Sequence, residues 1–101
     1  MYAMTGKLVA QEGRRSELVN ILKQAAGLVG EIPQCRLYVV NEDISNETHV
    51  WIYELWDDRE SHDASLGNEQ VRALIVNARP LLACAPDGAE LRVAGGHGVS
   101  V

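Results

Sequence analysis

Residues 53–66 read YELWDDRESHDASL, and within this stretch a strand pattern gives way to a helix pattern. Apolar and aromatic residues dominate up to Trp56, as is typical of a β-strand. The next four residues, DDRE, have the pattern of a capping box, with Asp57 as the N-cap and Glu60 at the third helical position. We therefore predict that a short helix follows this box and ends at about Leu66.

The strand that leads into this helix is predicted to span Glu47–Trp56 and to be apolar on both faces. Successive side chains of a strand point to opposite faces. The two apolar sets are Val50 and Ile52, and Trp51, Tyr53 and Leu55. A strand with two apolar faces must be covered on both sides. The helices of so short a chain can cover one face, so we expect a partner subunit to cover the other.

The rest of the chain supplies three more strands and two more helices. Apolar residues recur at helical spacing in two regions, one over Arg14–Val29 and one from Glu69 until Pro80 ends or kinks it. The predicted strands are Tyr2–Ala10, Cys35–Asn41 and, after a turn at Pro86-Asp87-Gly88, Ala89–Ala94. The order is β-α-β-β-α-β, the ferredoxin-like arrangement of the α+β class, with an antiparallel sheet and helices on one face.

Length and charge narrow the possible partners. The chain has 101 residues and a net charge of −5, which favours one domain, over residues 1–96, and a glycine-rich tail, over residues 97–101. The basic residues are scattered, so we expect no nucleic-acid binding. No apolar run approaches a membrane span and no charged leader precedes a long apolar core, so we expect a cytoplasmic protein without a membrane contact.

Metal binding is not expected either. Cys35 and Cys84 lie far apart in the sequence, with no CxxC pair and no histidine at ligand spacing. Zinc sites need such spacing. Both cysteines are therefore predicted to be free, buried thiols that pack as small hydrophobic residues.

Several stretches together resemble the antibiotic biosynthesis monooxygenase (ABM) family. The strand and short helix WIYELWDDRESHDASL, followed by VRALIVNARPLLA, resemble its characteristic segment, a strand with tyrosine-glutamate-x-tryptophan before an acidic-capped helix. The segment QEGRRSELVNIL resembles its first helix, and CRLYVVNED its second strand. The resemblance covers about residues 2–94. It implies a dimeric α/β barrel and, in many members, oxygenase chemistry without flavin, haem or metal that converts a quinol or polyphenol to a quinone.

The histidines depart from the usual family pattern. That pattern has a histidine eleven positions after the strand glutamate, where this chain has Ser65, and another five positions later, where it has Gln70. The histidine here is His62, and SHDASL resembles a subgroup named as quinol monooxygenases. Haem-degrading relatives need a histidine on the later helix and an asparagine on the first strand, and neither is present, so haem binding is not implied.

The candidate catalytic residue is His62, with Ser65 beside it. Both share a helical face with Leu66, which we expect to point at the sheet. An imidazole titrates near neutrality and suits a general base for a phenolic hydroxyl. The structural alternative is a histidine held by Asp58 or by a backbone carbonyl.

Three aromatic residues, Trp51, Tyr53 and Tyr38, are predicted to line a substrate pocket, with core or dimer packing as the alternative. Glu54 shares a face with Trp56 and is either a base or orienter, or a partner in a salt bridge between strands or between subunits. Arg79 either binds an anionic group or lies on a solvated helix face.

Two classes of function follow from these residues. The first is a cofactor-independent, homodimeric monooxygenase that oxidises a quinol or polyphenol-type aromatic with O₂ after His62 removes a proton. The second is a non-catalytic dimeric module that binds a small ligand on the same fold. An isomerase or lyase acting on a small carbonyl compound, with the same base, is a third possibility.

Overall fold

The computed structural model describes residues 1–99. Four strands form one antiparallel sheet in the order β2-β3-β1-β4: β1 (Tyr2–Val9), β2 (Cys35–Glu42), β3 (His49–Trp56) and β4 (Asp87–Arg92). The helices are α1 (Arg15–Val29), α2 (Arg59–Ser65) and α3 (Glu69–Ala78), the last followed by a single 3₁₀ turn at Arg79–Leu81. The predicted α+β, ferredoxin-like order of elements is confirmed.

The helices cover one face of the sheet. Val50 and Ile52 of β3 pack there with Leu18 and Leu22 of α1 in one core cluster. A second cluster, at the end of β3, joins residues of two strands and two helices, and consists of Tyr2, Val29, Trp56 and Val71. We call this covered side the helix face of the sheet, and the opposite side its outer face.

The alternation of β3 assigns its residues to these two faces. Trp56 is fully buried on the helix face, which carries Val50, Ile52 and Glu54 as well. Trp51, Tyr53 and Leu55 therefore lie on the outer face. The predicted division into two apolar sets is thus realised, and the outer set has no helix over it.

The N-cap of α2 and the starts of β3 and β4 differ from the prediction. Asp58, and not Asp57, is the N-cap of α2, because its side chain accepts a hydrogen bond from the Ser61 amide at 2.7 Å. Asp57 instead pairs with Arg36 at 2.6 Å. β4 already begins at Asp87, inside the predicted turn. β3 begins at His49, two residues later than predicted.

Two burial predictions are also wrong. Leu66, the C-cap of α2, is exposed, because the helix ends before it. Cys84 is exposed, since it follows the 3₁₀ turn in an irregular segment, while Cys35 is partly buried. The division at residue 96 stays a prediction, and Ser100 and Val101 of the predicted tail lie outside the described residues.

Candidate functional site

A cavity of about 390 Å³ lies between the helix face of the sheet and helices α1 and α3. Its walls are mainly aliphatic and include Leu22, Val29, Val71, Leu74 and Ala78. Five residues with polar groups also line it: Tyr38, Glu54, His62, Ser65 and Arg79. Pockets that bind small molecules have this character, an apolar wall with a few polar groups.

His62 is fixed in this wall by α2 and by two aromatic rings. Its side chain is only 5% exposed. The ring centroid lies 5.3 Å from that of Tyr2 and 5.6 Å from that of Trp56, the latter in an edge-on arrangement. Edge-on aromatic contacts of this kind are favourable and restrict the ring to one orientation. The predicted inward direction of this histidine is therefore what the structure shows.

The two ring nitrogens of His62 face different carboxylates. Nδ1 lies 2.9 Å from Oδ1 of Asp63, at hydrogen-bond distance. Nε2 lies 3.9 Å from Oε1 of Glu54, which lines the cavity. A carboxylate beside Nδ1 favours the tautomer with its proton on Nδ1. The lone pair of Nε2 then faces the same space as the Glu54 carboxylate, and a proton donor placed there would meet both groups.

Glu54 is a partly buried carboxylate with one fixed donor. The indole Nε1–H of Trp56 donates a hydrogen bond to Oε1 at 3.0 Å. Burial raises the pKa of Glu54, although the Trp56 hydrogen bond and the nearby His62 act in the opposite direction. A carboxylate with a raised pKa is a stronger base and holds a proton more readily at neutral pH. The predicted alternative was a salt bridge between strands or between subunits, whereas the titratable neighbour seen here, His62, belongs to helix α2.

Tyr38 and Ser65 also belong to this site. Tyr38 pairs with Glu54 across β2 and β3, and its side chain lines the cavity. Burial, followed by the charge of Glu54, raises the pKa of the Tyr38 phenol well above its ordinary value, so it is a neutral hydrogen-bond donor. Ser65 donates its hydroxyl hydrogen bond to the His62 carbonyl oxygen at 2.6 Å, and so stabilises the last turn of α2.

The structure does not bring Trp51 and Tyr53 to this cavity, because both side chains lie on the outer face. Trp51 donates its indole N–H to Oδ2 of Asp43 at 2.8 Å, and the Lys7 ammonium lies 5.9 Å from its ring centroid. Tyr53 lines a separate depression with residues 97–99. Of the predicted site, His62, Ser65 and Tyr38 are together. The substrate-binding roles stay predictions.

A chain of polar contacts extends from His62 to the edge strand β4. Arg59 lies 3.6 Å from Asp63 and 3.3 Å from Glu90. Glu90 in turn accepts a hydrogen bond from the Tyr2 hydroxyl at 2.8 Å. Burial and this hydrogen bond raise the pKa of Tyr2 to about 12. Apart from the adjacency of His62 and Asp63, no local pattern in the sequence indicates these contacts, because they join residues distant in the chain.

Among residues 1–99, no group of three or more His, Cys, Asp or Glu side chains is placed to hold a metal ion. None of the helices in that range is long and apolar enough to cross a membrane.

The pH dependence of stability tests the buried state of Glu54. Because its pKa in the folded chain lies above the ordinary value of 4.5, the wild type loses stability as pH rises from that value through the raised pKa. Glu54→Gln removes this titration and keeps an oxygen for the Trp56 N–H. We expect the variant to have a higher melting temperature than the wild type near neutral pH. Below pH 4.5 its melting temperature should not be higher. Circular dichroism measures both.

Glu12→Gln is the control for this experiment, because Glu12 is exposed in the turn before α1. Its melting temperature should follow that of the wild type across the pH range. A difference between Glu54→Gln and the wild type that is constant with pH would show that the carboxylate has its ordinary titration.

The sequence profile of the family described as antibiotic biosynthesis monooxygenase matches residues 1–76. A structure from Chloroflexus aurantiacus J-10-fl, provisionally named as such a monooxygenase, is 38% identical, with 98% of each chain covered and a TM-score of 0.86. No curated protein matches the sequence.

More distant structures share the fold. One from Deinococcus radiodurans, with the same provisional name, is 22% identical over 100% of each chain, with a TM-score of 0.85. Another of that name, from Nitrosomonas europaea, is 10% identical over 94% of this chain and 100% of its own, with a TM-score of 0.89. At these identities the likeness concerns the backbone arrangement alone.

Proposed function

Because the chain belongs to the antibiotic biosynthesis monooxygenase family, we propose that it is a cofactor-independent monooxygenase that oxidises a quinol or polyphenol-type aromatic compound with O₂. One observation carries the proposal: a buried imidazole and a partly buried carboxylate, 3.9 Å apart, face an apolar cavity large enough for a small ligand. Such a pair suits the removal of a proton in a space from which bulk water is largely excluded.

His62 is the proton acceptor in this mechanism. Asp63 holds Nδ1 and leaves Nε2 free to accept the phenolic proton. Glu54, close to Nε2, then stabilises the imidazolium that forms, because opposite charges attract strongly at a buried site. The neutral Tyr38 hydroxyl, on the same wall, donates a hydrogen bond to a substrate oxygen and orients the ring.

The substrate supplies all the electrons. Deprotonation gives an electron-rich phenolate, which passes electrons to O₂. In the overall reaction of a quinol, one oxygen atom enters the ring to give a hydroxyquinone, and the other leaves as water with the two hydrogens that the substrate has lost. The protein contributes deprotonation, orientation and an apolar environment.

Oxygen consumption tests the proposal. With menadiol or a related quinol, and without added flavin or metal, we expect the protein to consume O₂ faster than the quinol autoxidises, in proportion to protein concentration. A rate equal to autoxidation over a set of quinols and polyphenols would reject the proposal. Ligand-dependent stabilisation without turnover would favour the non-catalytic binding module. Conversion of a carbonyl compound without O₂ would favour the isomerase or lyase.

We also propose that the protein is a homodimer in which the outer faces of two sheets meet. This face exposes large apolar side chains, namely Leu37, Trp51 and Leu91. Monomeric proteins rarely expose a contiguous apolar surface of this kind. A small domain gains stability when such a face is buried against a second copy. The proposal completes the barrel implied by the family resemblance.

Light scattering tests this dimer. The wild type should have twice the chain mass of 11.1 kDa at micromolar concentration. Tyr53→Asp places a charge in the apolar outer face, and because a buried unpaired carboxylate is costly, we expect this variant to have the mass of one chain. Ile44→Asp is the control, since Ile44 is 103% exposed in the loop between β2 and β3. If the wild type has the mass of one chain, the dimer proposal is rejected.

A cytoplasmic location is part of the proposal. Cys35 and Cys84 are unpaired thiols. Free thiols persist in reducing compartments, whereas small secreted domains commonly form disulfides.

A further inference from the structure

The polar groups of the cavity are concentrated at one of its ends. The end of the cavity near the C-terminal end of β3 is lined by Tyr38, Glu54, His62 and Ser65. The opposite end is lined by Leu8, Leu82, Pro86 and Arg79. Arg79 is exposed to solvent, so an apolar group that enters this end desolvates no buried polar side chain.

The register of the sheet gives the distance between the two ends. On β1, Met4 pairs with Glu54 and Leu8 pairs with Val50. Four residues of antiparallel strand span roughly 13 Å, at about 3.3 Å per residue. The cavity is therefore longer than one aromatic ring with its hydroxyl groups, and a single-ring phenol held by His62 leaves the Leu8 end empty.

The wall between the ends is aliphatic. Helix α3 contributes Val71, Leu74, Ile75 and Ala78, which recur at helical spacing along the length of the cavity. Ile75 and Leu66 also line the cavity and remain exposed at its rim, so part of this apolar wall has no side-chain cover. A hydrocarbon chain that follows α3 would bury these surfaces.

We propose that the substrate is a phenol or quinol whose ring carries an aliphatic side chain, with the hydroxyl at His62 and Glu54 and the side chain along α3 toward Leu8. This inference rests on the proposed function for the identity of the ring. The inference of an aliphatic side chain on the substrate depends only on the length and lining of the cavity. Each methylene that enters the cavity leaves water, which makes binding about fourfold tighter per CH₂.

Binding of 4-alkylphenols without oxygen tests the inference. By isothermal titration calorimetry under anaerobic conditions, Kd for 4-methyl-, 4-butyl- and 4-octylphenol should fall steeply along the series. Leu74→Phe narrows the aliphatic part of the cavity and should abolish the gain in affinity between 4-methylphenol and 4-octylphenol. Val76→Phe is the matched control on the same helix, because Val76 is 58% exposed and does not line the cavity.

The outcomes separate this inference from the proposed function. A wild-type Kd that does not depend on chain length would overturn the inference, whether or not Leu74→Phe folds. If quinols with and without side chains are oxidised at equal rates and bound equally, the monooxygenase proposal stands and the aliphatic chain is rejected. If affinity rises with chain length but no quinol raises oxygen consumption, the cavity assignment stands and the oxidation is rejected.

Discussion

Replacing His62 with glutamine is expected to lower the rate of oxygen consumption with a quinol substrate by about 10²–10⁴-fold, the usual contribution of a general base. Glutamine has a similar length and can still donate to Asp63, but it cannot take up the phenolic proton. Glu54 alone would remain beside the substrate. The measurement is the initial rate with an oxygen electrode, corrected for autoxidation, as a function of substrate concentration. The loss should fall on kcat.

The control for this substitution is His49→Gln. His49 is the first residue of β3, and its Nδ1 lies 4.0 Å from Oδ2 of Asp43. It does not line the cavity. Its replacement should leave the rate unchanged. A folded His62→Gln protein, verified by circular dichroism, that consumes oxygen at the wild-type rate would exclude His62 as the base and leave Glu54 as the candidate.

The largest effect on stability is expected for Trp56→Ala. Trp56 is 0% exposed and packs with Tyr2, Val29 and Val71 where strand, helix and cavity meet. Truncation of a buried aromatic ring costs about 3–5 kcal/mol, because contacts are lost and a cavity remains. That is a large part of the 5–15 kcal/mol typical of a whole domain. Urea unfolding followed by circular dichroism should show a midpoint far below that of the wild type.

Trp56→Phe separates packing from hydrogen bonding at this position. Phenylalanine keeps much of the buried ring but cannot donate to Glu54, so we expect a smaller loss of stability than for alanine. The Trp56 hydrogen bond lowers the pKa of Glu54, so the pKa of Glu54 should rise when this donor is lost. An equal loss of stability in both variants would indicate that the hydrogen bond to Glu54, and not the packing of the ring, accounts for most of the effect.

The sequence was sufficient for the order of elements, because apolar periodicity and turn residues are local signals. It failed at the N-cap of α2, where Asp57 and Asp58 are adjacent and each fits a capping pattern. The two are distinguished by the Ser61 amide hydrogen bond to Asp58 and by the contact of Asp57 with Arg36, a residue of β2. Long-range pairs of this kind are not encoded in local spacing.

The candidate site was predictable in part for the same reason. Helical spacing correctly turned His62 and Ser65 toward the core. Strand alternation correctly placed Trp51 and Tyr53 on one face and Glu54 on the other. It could not tell which face the helices cover, because β3 is apolar on both sides. The approach of His62 to Glu54 depends on where α2 crosses the end of the sheet, which is set by tertiary packing.

The two-sided character of β3 has a practical consequence for redesign. Even-numbered positions between Val50 and Trp56 face the helices and the cavity region, and odd-numbered positions face outward. Among the even positions, Glu54 lines the cavity and the other three are packed in the core, whereas substitutions at the odd positions change the surface proposed for the dimer. Within this eight-residue segment, whether a residue number is odd or even therefore tells an engineer whether a substitution changes the helix face or the face proposed for self-association.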